Sequence, residues 1–100
     1  MRQKRISDTI PKVDDDGVRQ SQRVPLTGTL SFLQPEGVTG EAVDANADGM
    51  RVVTDAPLRP GDKCIAVVQL ASGDSTHERM EVIWSRRSAR GWEAGLRFAG

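Results

Sequence analysis

From Arg23 onward, apolar and polar residues alternate along the chain in short runs. In the first run every second position is apolar or Gly: Val24, Leu26, Gly28, Leu30 and Phe32. This is the period of a strand with one buried face. Five further strand-length segments are rich in β-branched or aromatic residues: VTGEAV (38–43), MRVVTD (50–55), KCIAVVQL (63–70), ERMEVIWSRR (78–87) and WEAGLRF (92–98).

Turn-forming segments separate these runs, namely QPEG, NADG, PLRPGD, ASGDS and SARG. The connections are therefore short, and no segment has a helical period. Six short strands joined in this way predict an all-β fold, an antiparallel sheet that closes into a small six-stranded barrel.

The first 22 residues differ from the rest of the chain. They carry a few scattered large apolar residues among many charged ones, with a period of neither two nor 3.6. Such a segment buries too little apolar surface to fold alone. We therefore expect a flexible arm over residues 1–22 and a barrel domain over residues 23–100.

Composition narrows the class of protein. Fourteen basic and fourteen acidic residues cancel, so no global field attracts nucleic acid or an anionic membrane. One hundred residues suffice for one domain. Cys64 is the only cysteine and alternates with Ala66 and Val68, so we expect a core thiol, no disulfide and a cytoplasmic location. We find neither a membrane span nor a secretory signal.

Isolated side chains give weaker signals. Trp84 and Trp92 fall in register with core positions, although Trp84 is close enough to a strand end to reach a surface site. His77, in or beside a turn, has no second His and no Cys near it in sequence, so we expect no metal site there. No combination of nucleophile, base and orienting group is present, so we expect neither an enzyme nor a cofactor.

Three arginines, Arg86, Arg87 and Arg90, surround the last predicted hairpin. They could contact RNA or DNA, but the chain has no Tyr and no aromatic ladder on which bases would stack. A solvated hairpin is the better interpretation.

The segment DANADG, residues 44–49, has two incompatible interpretations. Its spaced oxygen-bearing side chains and Gly49 are typical of the first half of a calcium-binding EF-hand loop, which would cover residues 44–55. An EF-hand needs flanking helices, which the preceding VTGEAV and the following Pro57 disfavour. The alternative is a turn between strands, in which Asn and Asp side chains bond nearby amides and Gly49 supplies a positive φ.

Two motifs together resemble a known family. RQSQR, with Arg19 and Arg23, fits RxxxR, and DANADG fits [D/N]xSxxG with Asn46 where Ser is usual. At this spacing they resemble the signature of PilZ domains, bacterial receptors for the second messenger cyclic di-GMP. The segments RVPLTGTLSF, GMRVVTDAPLRPGD, MEVIW and GLRF are also similar to PilZ segments, in the same order. The resemblance covers residues 19–98 and implies a six-stranded antiparallel barrel.

The resemblance also implies a ligand site. Arg19 and Arg23 would bind phosphate oxygens or the guanine O6 and N7 atoms. Asp44 would accept from guanine N1 and N2, Asn46 would add an amide contact, and Gly49 would let the backbone approach the nucleotide. Trp84 is a possible stacking residue.

The expected function is that of a cyclic di-GMP receptor whose arm becomes ordered on binding. It would act in trans on a protein partner, such as a component of motility, chemotaxis or exopolysaccharide control. Val18 stands before RxxxR where some members have another arginine, which favours one nucleotide per domain. The alternative is a PilZ-like interaction module that binds a protein and no nucleotide.

Overall fold

The computed structural model describes residues 24–99, which contain seven antiparallel strands. The strands are β1 (Val24–Pro25), β2 (Gly28–Gln34), β3 (Thr39–Ala45), β4 (Gly49–Thr54), β5 (Lys63–Leu70), β6 (Ser75–Ser88) and β7 (Gly91–Phe98). The predicted arm, residues 1–22, lies outside the described residues. Within residues 24–99 no helix interrupts the strands, in agreement with the predicted all-β fold.

Six of these strands form a closed barrel. Their order around the ring is β3-β2-β5-β6-β7-β4, and pairing between β3 and β4 closes it. All of these pairings are antiparallel. The short strand β1 lies outside the ring and pairs with β3. The six-stranded antiparallel barrel predicted from the sequence is thus confirmed.

The first predicted strand is divided in two. Val24 pairs with Ala45, whereas Thr29 pairs with Glu41, so one extra residue lies between the two paired segments. At the break, the Thr27 carbonyl accepts a hydrogen bond from the Ala71 amide at the end of β5. One continuous strand from 24 to 32 was therefore a wrong prediction, because the backbone turns here to bond a second strand.

Inward-facing side chains fill the barrel with apolar groups. The bulkiest fully buried apolar side chains are Leu30, Met50 and Met80, which come from three different strands. Cys64 is only 1% exposed, which confirms the predicted core thiol. Burial raises the pKa of this thiol to about 11, because the apolar interior disfavours the thiolate.

A β-bulge in β6 changes which face its later residues occupy. Val82 pairs with Leu96, but Trp84 pairs with Gly95, so Ile83 is the extra residue and is 47% exposed. Because side chains alternate between faces, one extra residue turns Trp84 from the interior to the outer surface. The expectation of a core Trp84 was wrong for this reason.

Two smaller expectations also need correction. Strand β6 begins at Ser75, so His77 lies within a strand opposite Val67 and not in or beside a turn. Trp92, opposite Thr54, was expected in the core but is only half-buried. The Arg87 guanidinium carbon lies 5.6 Å from the centre of its ring.

Candidate functional site

One row of residues crosses four strands on the outer face of the barrel. Asp44 on β3 pairs with Arg51 on β4, Arg51 pairs with Gly95 on β7, and Gly95 pairs with Trp84 on β6. Residues directly opposite each other in antiparallel strands share a face. The row therefore presents a carboxylate, a guanidinium and an indole ring on one continuous surface.

Asp44 is the most buried charge of the row. Its side chain is 12% exposed, near the end of β3, and accepts a 2.6 Å hydrogen bond from the Arg51 guanidinium on one oxygen, Oδ2. A charge-assisted bond of this length holds the carboxylate in a fixed orientation. The Arg51 Nε is buried and has no hydrogen-bond partner in the described part of the chain.

Glu93 connects this pair to the far end of the row. It lies on β7 two residues before Gly95, on the same face, and its side chain is 16% exposed. Its Oε1 accepts a 2.8 Å hydrogen bond from Arg86 Nε and lies 2.6 Å from Arg86 Nη2, and its Oε2 lies 3.8 Å from Arg51. The Arg86 guanidinium is in turn 5.3 Å from the centre of the Trp84 ring, within the range of a cation–π contact.

Gly95 gives the Trp84 ring its position. A Cβ atom at residue 95 would collide with the indole Nε1 and would lie 2.6 Å from Cε2 and 2.8 Å from Cδ1. The indole ring thus lies directly on the β7 backbone, in the space that any side chain would take. Trp84 is half-buried, so part of its surface remains accessible to solvent.

The turn beside this row is held by Asn46. Its Oδ1 accepts from the backbone N–H of Asp48 at 2.8 Å and of Gly49 at 3.0 Å, and the Asn46 backbone N–H donates to the Gly49 carbonyl. A side chain that bonds amides two and three residues later is an Asx-type turn. The turn interpretation of DANADG is confirmed for Asn46.

Glycine is required at position 49 for a different reason from the one predicted. It does not have a positive φ, so that expectation was wrong. A Cβ at this position would collide with the Leu96 carbonyl oxygen and lie 3.0 Å from Arg97 Cα. Gly49 is therefore needed because β4 and β7 approach closely.

The EF-hand conformation does not fit this segment. Residues 39–45 and 49–54 are the strands β3 and β4, where an EF-hand would have an entering helix and the second half of its loop. The Asn46 oxygen that would face a calcium ion already bonds two amides of the turn.

The structure brings together several of the residues predicted from the sequence. Asp44 adjoins the turn that Asn46 and Gly49 form, and Trp84 lies in the same row, three strands away. Arg19 and Arg23 lie outside the described residues.

Asp44, Arg51, Glu93, Arg86 and Trp84 form a surface cluster. Sequence reasoning missed three of its charged residues, Arg51, Glu93 and Arg86. A signal for Arg51 was present, since a hairpin turn over residues 46–49 sets it opposite Asp44. Arg86 had been interpreted as part of a solvated hairpin; its guanidinium instead bonds Glu93 and lies over Trp84.

A shallow groove adjoins the row on the same outer face. It has a volume of about 440 Å³ and includes Glu41, Val53 and Arg90. Glu41 pairs with Val53, and Val53 pairs with Glu93, so the groove begins one row from Arg51. An ion pair of 3.2 Å between Arg90 and Glu41 spans it.

The closed antiparallel ring, with its charged and aromatic outer face, defines a small β-barrel of the binding-module class. The family model described as PilZ domain matches residues 18–100, and the chain belongs to this family. PilZ domains are a family of cyclic di-GMP receptors and adaptor modules. No curated protein matches the chain. Residues 24–99 contain no helix that could cross a membrane.

Proposed function

We propose that this protein is a cyclic di-GMP receptor that acts in trans on a protein partner. Its membership of the PilZ family supports the ligand class. The observation that carries the proposal is the row from Asp44 to Trp84, which offers a hydrogen-bond acceptor and a flat ring on one surface. A guanine base has a donor edge and a flat face, and cyclic di-GMP carries two guanines, so different bases of one ligand would use the acceptor and the ring.

The Asp44 carboxylate would read the guanine edge. Guanine N1 and N2 donate two parallel hydrogen bonds, which a carboxylate can accept, whereas adenine has no N1 proton and no 2-amino group. The bond from Arg51 to Oδ2 orients this carboxylate on the outer face of the barrel.

In this proposal the two motif arginines enter the site from the arm. Arg23 is joined directly to β1, in which Val24 pairs with Ala45 and Pro25 pairs with Asp44. Val24, the residue that follows the RxxxR motif, thus lies on a strand that pairs beside the proposed guanine acceptor. In this proposal Arg19 and Arg23 contact phosphate or guanine N7 and O6, and the arm becomes ordered only when the ligand is present.

The other end of the row offers a stacking surface. Trp84 lies on the β7 backbone with the Arg86 guanidinium near its ring. A second planar group can stack on an indole or on a guanidinium, and both gain from contact with a base. Trp84 and Arg86 therefore form the proposed stacking surface for a guanine base of the ligand. Asn46 and Gly49 shape the turn at the opposite end of the row.

The output of this receptor would be a changed surface. We assign the effect to an interaction between the ligand-ordered arm and a cytoplasmic partner. Neither catalysis nor a cofactor enters this proposal. With Val18 before the RxxxR motif, we expect one nucleotide per domain.

Calorimetric titration of the full chain tests the ligand and its specificity. We expect heat with cyclic di-GMP, a stoichiometry of one, and far weaker binding of cyclic di-AMP. Asp44→Ala removes the guanine contact, so affinity should fall by about 1 to 3 kcal/mol and the preference between the two nucleotides should narrow.

Variants of the motif arginines test the arm. Arg19→Ala or Arg23→Ala removes a charge-assisted partner of the ligand, a loss of about 2 to 4 kcal/mol, and should leave the melting temperature unchanged. Arg79→Ala, an exposed arginine of β6 opposite Ile65, is the matched control and should bind as wild type does. Absence of heat with cyclic di-GMP would instead favour a PilZ-like module that binds protein alone, and heat with calcium would favour a site at residues 44–55.

A further inference from the structure

Glu93 is the junction between the two halves of the surface cluster. Its Oε1 accepts a hydrogen bond from Arg86 Nε and forms an ion pair with the same guanidinium, which lies over Trp84. Its Oε2 lies 3.8 Å from Arg51, which bonds Asp44. The cluster contains two carboxylates and two guanidinium groups, so its formal charges balance. Contacts thus run without interruption from the carboxylate acceptor to the ring.

Glu93 itself is badly placed to bind an anionic ligand. Its side chain is 16% exposed, and it adds a negative charge to a surface proposed to receive two phosphates. An electrostatic argument alone would make this residue unfavourable for binding. Its contacts with both arginines point to a different role.

We propose that Glu93 is a positioning residue, which fixes Arg51 and Arg86 and through them the relative placement of Asp44 and Trp84. This inference rests on the proposed function, because these two groups are the acceptor and the stacking surface proposed for the bases of one ligand. Long arginine side chains lose conformational entropy when a ligand immobilises them. With Glu93 in place, that ordering has occurred before the ligand arrives.

The substitution Glu93→Gln separates positioning from charge by the sign of its effect. It removes a negative charge near the ligand, which on electrostatic grounds would tighten binding of a dianion. It also replaces one of the two oxygens with an NH₂ donor, so the side chain can no longer both accept from Arg86 and form an ion pair with Arg51. Positioning therefore predicts weaker binding, against the electrostatic trend.

Glu41→Gln is the matched control. Glu41 lies on the same outer face, pairs with Arg90 at 3.2 Å, and is 64% exposed, without contact to the cluster around Asp44. The same charge is removed, but the cluster stays intact. We expect cyclic di-GMP affinity about equal to or above wild type for Glu41→Gln, and about tenfold lower for Glu93→Gln, roughly the loss of one charge-assisted hydrogen bond.

A double variant tests the route of the effect. Adding Glu93→Gln to Arg86→Gln should cost much less affinity than adding it to wild type, because the contact that Glu93 stabilises is already gone. Full additivity of the two substitutions would overturn the positioning role. So would a Glu93→Gln variant that binds cyclic di-GMP as tightly as the Glu41→Gln variant.

A measurement without ligand keeps the inference separate from the proposed function. The indole N–H resonance of Trp84, assigned by its loss in Trp84→Phe, should shift in Glu93→Gln and stay in place in Glu41→Gln. An unchanged resonance in Glu93→Gln would overturn the placement of Trp84 by Glu93. If wild type gives no heat with cyclic di-GMP, the proposed function fails, while this resonance still decides whether Glu93 positions the ring.

Discussion

Replacing Asn46 with Ala should destabilise the barrel through the backbone of a single turn. The Asn46 oxygen accepts from the amides of Asp48 and Gly49, and the Gly49 bond is buried. Two lost hydrogen bonds cost about 1 kcal/mol each, and a buried amide left without a partner costs about 1 to 3 kcal/mol. Allowing water to reach the partly exposed Asp48 amide, we expect a loss of about 2 to 4 kcal/mol in the free energy of unfolding.

Urea denaturation of wild type, Asn46→Ala and Asn46→Ser measures this cost. Serine keeps an acceptor, but its shorter side chain can serve one amide, so its loss should be about half that of alanine. Asp48→Ala is the control, because the exposed Asp48 side chain can be removed while its amide remains, and it should change stability by less than about 0.5 kcal/mol. An Asn46→Ala variant as stable as Asp48→Ala would refute the assignment of this turn to the Asn46 side chain.

Two further outcomes follow from the packing. Gly95→Ala places a Cβ in the space of the indole ring and should lower the free energy of unfolding by about 1 to 3 kcal/mol. In a Trp92→Phe background, the fluorescence of the displaced Trp84 should shift to longer wavelength and become easier to quench. An unchanged spectrum would show that the ring does not lie on Gly95. Cys64, buried and with its pKa raised to about 11, should react with iodoacetamide at neutral pH far more slowly in native protein than in denaturant; equal rates would contradict its burial.

The strands were predictable because their signal is local. Alternation of apolar and polar residues marks a half-buried strand, and it located the six ring strands to within a few residues. The division between β1 and β2 was not predictable in this way. It depends on a bond between Thr27 and Ala71, which are far apart in sequence.

The candidate site was predictable only in part for the same reason. Asp44 and Asn46 belong to a short motif, and the turn between them and Arg51 is local. Trp84 could not be placed, because the bulge at Ile83 reverses its face without any glycine or proline to mark it. Glu93 needed the register between β4 and β7, which no local pattern determines.

Because the barrel is a closed ring, the contacts of the surface cluster form at different stages of folding. The contact between Asp44 and Arg51 belongs to a hairpin of neighbouring strands, which can form early because its loop is short. Arg51 and Glu93 meet only across the β4–β7 pairing, between strands that the chain joins through two others. Any intermediate with an open ring would keep the first contact and lack the second. A ligand that needs both ends of the cluster would then select closed molecules and slow their opening.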